Sequence, residues 1–485
     1  MPIRSIAIAL LAAILATGCA DMSGLSTKAS LDDANRLKAQ QSIGGAHLSN
    51  AAWPAVDWWK RFGDPQLDRL MDEALAGSPT LRIAEARARQ ALAFAQSAGA
   101  PLHPQVNANG AVMRERFSEH GLVPPPFAGA WASQAQLEAT VDYDLDLWGK
   151  NRAAYDAALG QAKAAEVETY AARLALSVNI AQTYVQLLRA YQQLDVAEKA
   201  LKEREQIYAL TRQRFEAGID SRLAVKQAES AVPAKREEIA QWQEAIGLAR
   251  NQLAALTGQG PDRGLAIERP VAHALNDVEI PSALPAELLG RRPDLVAQRW
   301  RVEAARKDID VAKAQFYPNV NLTAFIGLQA LGLPGFLQAA NRTLGAGPAV
   351  TLPIFDGGRL RGNLTGRNAE YDIAVERYNQ TLVEALRDVV DQLTSLRSLD
   401  TQRTEQRHAL ATAQEAYDLA QLRYREGTGN YLEVLSAESQ LLTQQSLDVD
   451  LTARGLTLSI NLSRALGGGY TPAAVPVANA AHASH

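Results

Sequence analysis

Few side chains in this sequence are spaced for covalent or metal chemistry. Seven histidines are scattered, and none forms an HExxH pair. Neither a GxxxxGK[ST] phosphate loop nor a GxSxG nucleophile elbow occurs. Gly345-Ala346-Gly347 lacks the third glycine of a dinucleotide loop and is expected in strand or loop backbone. Acidic pairs on long helical stretches read as solvated faces. No convergent polar site is visible, so no enzyme, cofactor or resident metal is expected. What remains is one cysteine, Cys19, and two groups of acids: Glu138, Asp142, Asp144 and Asp146 in one stretch, and Glu433 beside a turn.

A lone cysteine rules out an intrachain disulfide framework or cysteine-rich zinc site. Arg4, the apolar stretch Ile6 to Ala16 and the small residues Thr17-Gly18 before Cys19 read as a secretory signal over 1–18. The site resembles a bacterial lipoprotein box, with Ala16 at the place where Leu is usual and Leu15 one position earlier. That resemblance implies lipidation of Cys19. Ala20 stands where Asp would resemble an inner-membrane retention signal, which favours the outer membrane. Residues 19–54 then read as a lipid-anchored linker.

The positioning elements need a folded chain. The 485 residues are 47% hydrophobic and 21% charged, which excludes wholesale disorder. Lys+Arg 49 against Asp+Glu 53 leaves a net charge of -4, so no basic excess points to nucleic acid. Past residue 18 no run approaches the ~18 apolar residues of a membrane-spanning helix. Mean hydropathy is -0.17.

The chain repeats itself. Ser78-Pro79-Thr80-Leu81 returns as Arg292-Pro293-Asp294-Leu295, and His103-Pro104-Gln105-Val106-Asn107 as Tyr317-Pro318-Asn319-Val320-Asn321, both 214 residues on. Arg214-Phe215-Glu216-Ala217-Gly218 returns as Arg423-Tyr424-Arg425-Glu426-Gly427, and Ala228-Glu229-Ser230 as Ala437-Glu438-Ser439, both 209 on. Constant offsets mean duplication. The first repeat is expected over 55–260, with strands in 104–147, a long helix over 151–217 and a return helix over 222–257. A connector follows at 261–283. The second repeat spans 284–468, with strands in 318–355, a long helix over 359–426 and a return helix over 431–466. Residues 469–485, rich in Ala, Pro and Val, read as a disordered tail.

Gln136 to Asp146 alternates without a fault, Leu137, Ala139, Val141, Tyr143 and Leu145 against the polar set that includes Glu138, Asp142, Asp144 and Asp146. Val320, Leu322, Ala324, Ile326 and Leu328 line one face in the second copy. Leu187, Leu194, Leu201, Tyr208 and Phe215 recur every seven residues, a seam for helix-on-helix packing, with Arg403 the exception among their repeat partners. Pro79 and Pro233 are expected to kink or break the flanking helices. Four strands per chain cannot close a barrel, and an open sheet edge in lipid leaves backbone groups unpaired at several kcal/mol each. If these strands lie in a membrane, several chains must share one barrel, and three would supply twelve strands. A soluble sandwich with one wet face is the alternative.

Several segments resemble one family. Trp58 to Leu67 (WWKRFGDPQL) resembles its N-terminal signature, and Leu284 to Leu295 (LPAELLGRRPDL) its central one. Asp146 to Arg152 (DLWGKNR) and Leu352 to Gly358 (LPIFDGG) resemble its two strand-to-helix corners. The family is that of the TolC-like outer-membrane efflux proteins, in the lipoprotein branch serving RND-type pumps. The resemblance covers about residues 55–468. It implies a mainly α fold with a membrane β-barrel: a homotrimer sharing a twelve-stranded barrel and an α-helical periplasmic tunnel. It also implies a periplasmic adaptor protein and an inner-membrane RND transporter as partners. The function implied is a passive duct for small molecules. Alternatives are an outer-membrane component for type I protein secretion and a structural coiled-coil lipoprotein without a pore.

Each long helix ends in a glycine turn, Gly218-Ile219-Asp220-Ser221 and Gly427-Thr428-Gly429-Asn430. Glycine suits the left-handed position after a helix, and Ser221 and Asn430 suit the N-cap of the returning one. The resemblance makes Gly218, Ser221, Gly427 and Asn430 adaptor-docking tips. Glu433 has capping-box spacing from Asn430. The resemblance adds a gate role for Glu433 and for Tyr424, and Ser436 departs from a second acidic position of that pattern.

Overall fold

The structure is a computed structural model that describes residues 22–33, 36–37, 48–49, 53–271, 280–281 and 290–471. Cys19, the signal and most of the C-terminal tail lie outside the described residues, as do Leu284 to Leu289 of the central signature. The chain folds as two compact units, one of Met1–Leu31, Arg87–Glu166 and Ala297–Asn379, the other of Asp32–Ala86, Val167–Val296 and Gln380–His485.

Among the described residues, seven helices are long enough to label. They are α1 (Pro65–Gly77), α2 (Pro79–Gly99), α3 (Lys150–Glu216), α4 (Arg222–Leu256), α5 (Pro293–Ala314), α6 (Arg359–Arg425) and α7 (Tyr431–Ala465). α3 and α6 have 67 residues each, and at 1.5 Å per residue each reaches ~100 Å. Among the described residues, no helix is long and apolar enough to cross a membrane. The break between α1 and α2 falls at Ser78, before Pro79, whereas α4 runs on through Pro233. A proline inside a helix removes one backbone bond, and here the rest of the helix carries the turn.

The first unit is built on one antiparallel sheet of β1 (Gln105–Arg116), β2 (Trp131–Asp144), β3 (Asn319–Leu331) and β4 (Arg342–Thr351), in that spatial order. The middle pair joins the two repeats, with Leu137 opposite Leu328 and Asp144 opposite Asn321. Gly345-Ala346-Gly347 is β4 backbone, and Phe325 lies over Gly345 where a Cβ would meet its ring at 2.6 Å. Beside the sheet, α3 and α5 approach closely at Gly160, whose added Cβ would stand 3.1 Å from that of Ala304. This accounts for the only glycine in α3. Met22 and Leu25 pack on Ile309, Phe316, Leu360 and Leu364, and Asp372 accepts the backbone N–H groups of Lys28 and Ala29 at 2.9 Å.

The core of the second unit gathers Trp58, Trp59, Phe62, Leu67, Leu70 and Met71 against Ile180, Tyr184 and Leu187 of α3, Leu253 of α4 and Ile460 of α7. The N-terminal signature is thus a packing device. Asp64 caps α1 by accepting from the Gln66 N–H at 2.9 Å, and it also accepts from the Tyr184 hydroxyl at 2.5 Å. Arg61 donates to the Ser459 carbonyl at 2.8 Å. In the central signature, buried Arg292 pairs with Asp294 at 2.6 Å and reaches Asp388 at 3.5 Å. Of the heptad residues, Leu187, Tyr417 and Tyr424 are buried, while Phe215 is 41% exposed and stands outside the core.

Candidate functional site: a two-faced sheet and two helical tips

The register of the sheet sorts its residues. Opposed residues in an antiparallel pair share a face. One face carries Val106, Ala108, Gly110 and Val112 of β1, Ala135, Leu137, Ala139, Val141 and Tyr143 of β2, Leu322, Ala324, Ile326 and Leu328 of β3, and Leu344, Ala346, Pro348 and Val350 of β4. The other carries Asn107 and Asn109, Gln136, Glu138, Thr140, Asp142 and Asp144, Asn321 and Thr323, and Thr343. Val106 is 70% exposed and Leu344 75%, so the edge strands leave much of the apolar face uncovered, while Ala135 in its middle is buried. Asp142 accepts from the Thr323 hydroxyl at 3.1 Å across the polar face. β1 pairs only with β2 and β4 only with β3, which leaves two long open edges.

Glu138, Asp142 and Asp144 are strand residues on the polar face. Asp146, expected to continue that face, lies beyond the strand in a left-handed conformation (φ 49°). Its carboxylate accepts the N–H groups of Asn151 and Arg152 at 2.8 and 2.9 Å, satisfying the free end of α3. The alternation that runs through Leu145 therefore outlasts the strand. Asp144, the last strand residue, already turns to the Asp146 N–H and the Lys150 ammonium, at 3.0 and 3.1 Å. Asp356 does the same work in the second repeat, accepting from Gly358 and Leu360 at 2.9 Å. Those backbone donors, Leu360 foremost, hold the Asp356 carboxyl below its ordinary range.

The two tips are near copies. Gly218 and Gly427 both have φ 77°. The Ile219 N–H reaches the Arg214 carbonyl at 2.8 Å and the Thr428 N–H the Arg423 carbonyl at 2.9 Å, each closing the last helical turn. Ser221 Oγ accepts from the Ala224 N–H at 3.2 Å, and Asn430 Oδ1 from the Glu433 N–H at 3.1 Å. Glu433 does not complete a capping box through the backbone. Its Oε1 accepts from Asn430 Nδ2 at 3.0 Å, and its other oxygen lies 3.5 Å from Arg423.

Between the tips lies a polar knot that sequence reasoning missed. Tyr424, fully buried, donates to Asp220 Oδ2 at 2.7 Å and lies 2.8 Å from the Thr211 hydroxyl. Arg214 bonds the same Asp220 oxygen at 3.0 Å, donates to the Tyr424 carbonyl at 2.9 Å and stacks 4.5 Å over its ring. Burial, followed by the bond to Asp220, pushes the Tyr424 phenol up to about 12. Arg214 and Tyr424 were legible only as neighbouring positions of the repeated segment, where Arg214 matches Arg423 and Phe215 matches Tyr424. That they face each other across 210 residues was not. Also missed were Ile219, Leu223 and Leu432, which stand 63%, 68% and 64% exposed at the tips. Ile219 inside a turn signal, and leucines at the second position of both returning helices, were the available clue.

A family model described as outer membrane efflux protein matches the chain twice, over residues 70–259 and 284–468. The fusaric acid resistance protein FusA of Burkholderia cepacia is 42% identical over 75% of this chain and 69% of its own length. The multidrug resistance outer membrane protein MdtP of Escherichia coli K12 is 34% identical over 87% of this chain and 88% of its own. Among solved structures, the outer membrane protein VceC of Vibrio cholerae superposes with a TM-score of 0.81 at 40% identity, covering 86% of this chain and all of that one. The two matches of the family model fall on the two halves of the duplication, and with these relatives they show that the chain belongs to the outer membrane efflux protein family and is an outer-membrane efflux channel.

Proposed function

We propose that three copies of this chain close one twelve-stranded barrel, β4 of each pairing with β1 of the next, and that the pore serves an RND-type pump through a periplasmic adaptor. The carrying observation is the sheet itself, with one face mainly apolar, the other mainly polar, and the outer edges of both edge strands unpaired among the described residues. In lipid only closure satisfies those edges. Four strands cannot close, and barrels well above eight strands leave a water-filled bore. The polar face then lines water, and Glu138 and Asp142 bias it toward cations. α3 and α6 lead from the corners to the tips, where Ile219, Leu223 and Leu432 offer an apolar surface to an adaptor. Glu433 and Tyr424 act at the narrow end, Glu433 by charge repeated about the axis and Tyr424 by holding the tips together. Lipidation of Cys19 adds an anchor.

The substrate class we propose is small organic toxicants, since relatives bear names of fusaric acid and multidrug resistance. The duct itself selects by size and charge. The test has two arms. Purified protein in planar bilayers is expected as a trimer with discrete conductance steps. Ile219→Asp with Leu432→Asp is expected to keep that conductance while abolishing drug tolerance in cells and capture of the adaptor by crosslinking. A lipid-embedded monomer without conductance overturns the pore. Tolerance unchanged by the tip variant overturns adaptor docking.

A further inference from the structure

The register that separates the two faces also places three arginines on the apolar one. Arg114 and Arg116 close β1 on that face, opposite Ser133 and Trp131. Arg342, the first residue of β4, stands on it opposite Leu328. Each lies toward the hairpin end of its own strand, away from the corners where α3 and α6 begin, with Arg342 on the rung of Leu328 and Leu137. The face holds no Asp or Glu on any of the four strands, while Glu115, between the two β1 arginines, points to the polar face. At the corner end the same face has Val106, Tyr143, Val320 and Val350 and no cation. The apolar band is therefore bounded by positive charge at one end only. Arg114 and Arg342 are exposed, and Arg116 is half exposed and 3.1 Å from the exposed Glu119. Trp131, opposite Arg116, is 63% exposed.

Cations and an exposed tryptophan bordering a mainly apolar face suit a membrane interface. An arginine on the lipid side is far more costly at the bilayer midplane than near the interface. There its flat fork matches phosphate oxygens in pairs, and an exposed tryptophan marks the same depth. We propose that Arg114, Arg116 and Arg342 form a binding site for the phosphate groups of a lipid A-type glycolipid in the outer leaflet. This rests on the barrel reading above. That reading turns the hairpin end outward, because the helices leave from the other end. The charge asymmetry of the face then matches a bilayer whose outer leaflet is a phosphate-rich glycolipid. Arg114 and Arg116 stand on one edge strand and Arg342 on the other, so the closure of β4 on β1 of the next copy is what brings the two edges together, once at each of three seams.

The test uses the full-length protein purified in detergent, with lipid A added and retention read by native mass spectrometry. Wild-type protein is expected to retain lipid A. The triple variant Arg114→Gln, Arg116→Gln, Arg342→Gln should retain at least about tenfold less. Wild-type protein offered lipid A stripped of its phosphates should fall to the same level, and this arm decides the matter if the variant fails to assemble. Equal retention by wild type and variant overturns the site, as does undiminished binding of the stripped glycolipid. Displacement by phosphatidylglycerol at equal concentration overturns the glycolipid assignment. Conductance of the same samples separates the layers of the argument: a conducting trimer indifferent to lipid A sinks this site alone, whereas a non-conducting monomer sinks the barrel beneath it.

Discussion

Tyr424 donates its phenol to Asp220 at 2.7 Å, so a residue of the second long helix is tied to the turn that ends the first. The bond is shared with Arg214, which grips the same carboxylate and the backbone of Tyr424. Two tips that are copies in sequence are thereby held as one body. Tyr424→Phe keeps the packed ring and removes the tie. It is expected to cost about 0.5–1.5 kcal/mol locally and to raise single-channel conductance. Conductance equal to wild type would leave Tyr424 as core and nothing more.

Glu433 serves its own N-cap residue and stands near Arg423. Three carboxylates around an axis repel one another and favour cations. Glu433→Ala is expected to raise conductance and vancomycin entry. Glu433→Gln retains an acceptor for Asn430 while removing charge, so a change seen only with Ala assigns the effect to the cap. Wild-type values in both variants would take Glu433 out of the gate.

Neighbouring residues of β2 should answer oppositely. Leu137→Arg puts a cation on the apolar face in mid-strand, costs ~2–4 kcal/mol in lipid, and should prevent trimers from forming in outer-membrane fractions. Glu138→Gln with Asp142→Asn should assemble normally and lower cation preference, read as a shifted reversal potential across a salt gradient. Normal assembly of the first variant would contradict the facing of the sheet.

At the corner, Asp146 has both a left-handed backbone and a capping carboxylate. Asp146→Ala loses both, and a cost of about 1–2 kcal/mol is expected. Asp146→Gly regains the backbone freedom and should recover part of that loss. Thermal midpoints by circular dichroism order the three proteins, and Ala at the wild-type midpoint would refute the cap.

Glu438 is 2% exposed and bonded to Arg204 at 3.1 Å. Burial raises its carboxyl above the ordinary 4.5, with Arg204 pulling it back. Glu203, also raised by burial, faces it beside Tyr417, with Lys235 near by. A raised acid contributes stability that is full below pH 4.5 and is lost as pH rises through the folded value. The melting midpoint should therefore fall as pH rises above 4.5, and Glu438→Gln should flatten that slope. A variant with the wild-type slope would clear Glu438.

Much of this protein was readable in one dimension. The duplication rests on identities at constant offsets, the strand on a period of two in Leu137 to Tyr143, and the tips on a glycine followed by an N-cap residue. Each is a local rule, because backbone sterics and alternation act between near neighbours. Asp146 marks where such a rule ends: alternation continues in the letters after the backbone has turned, because Asp146 caps a helix that begins four residues later. The meeting of Asp220 with Tyr424, the joining of β2 to β3, and the single sheet face shared by Arg114 and Arg342 were decided by the tertiary structure alone. They depend on register between segments about 200 residues apart, and a slip of one residue would carry every side chain to the opposite face.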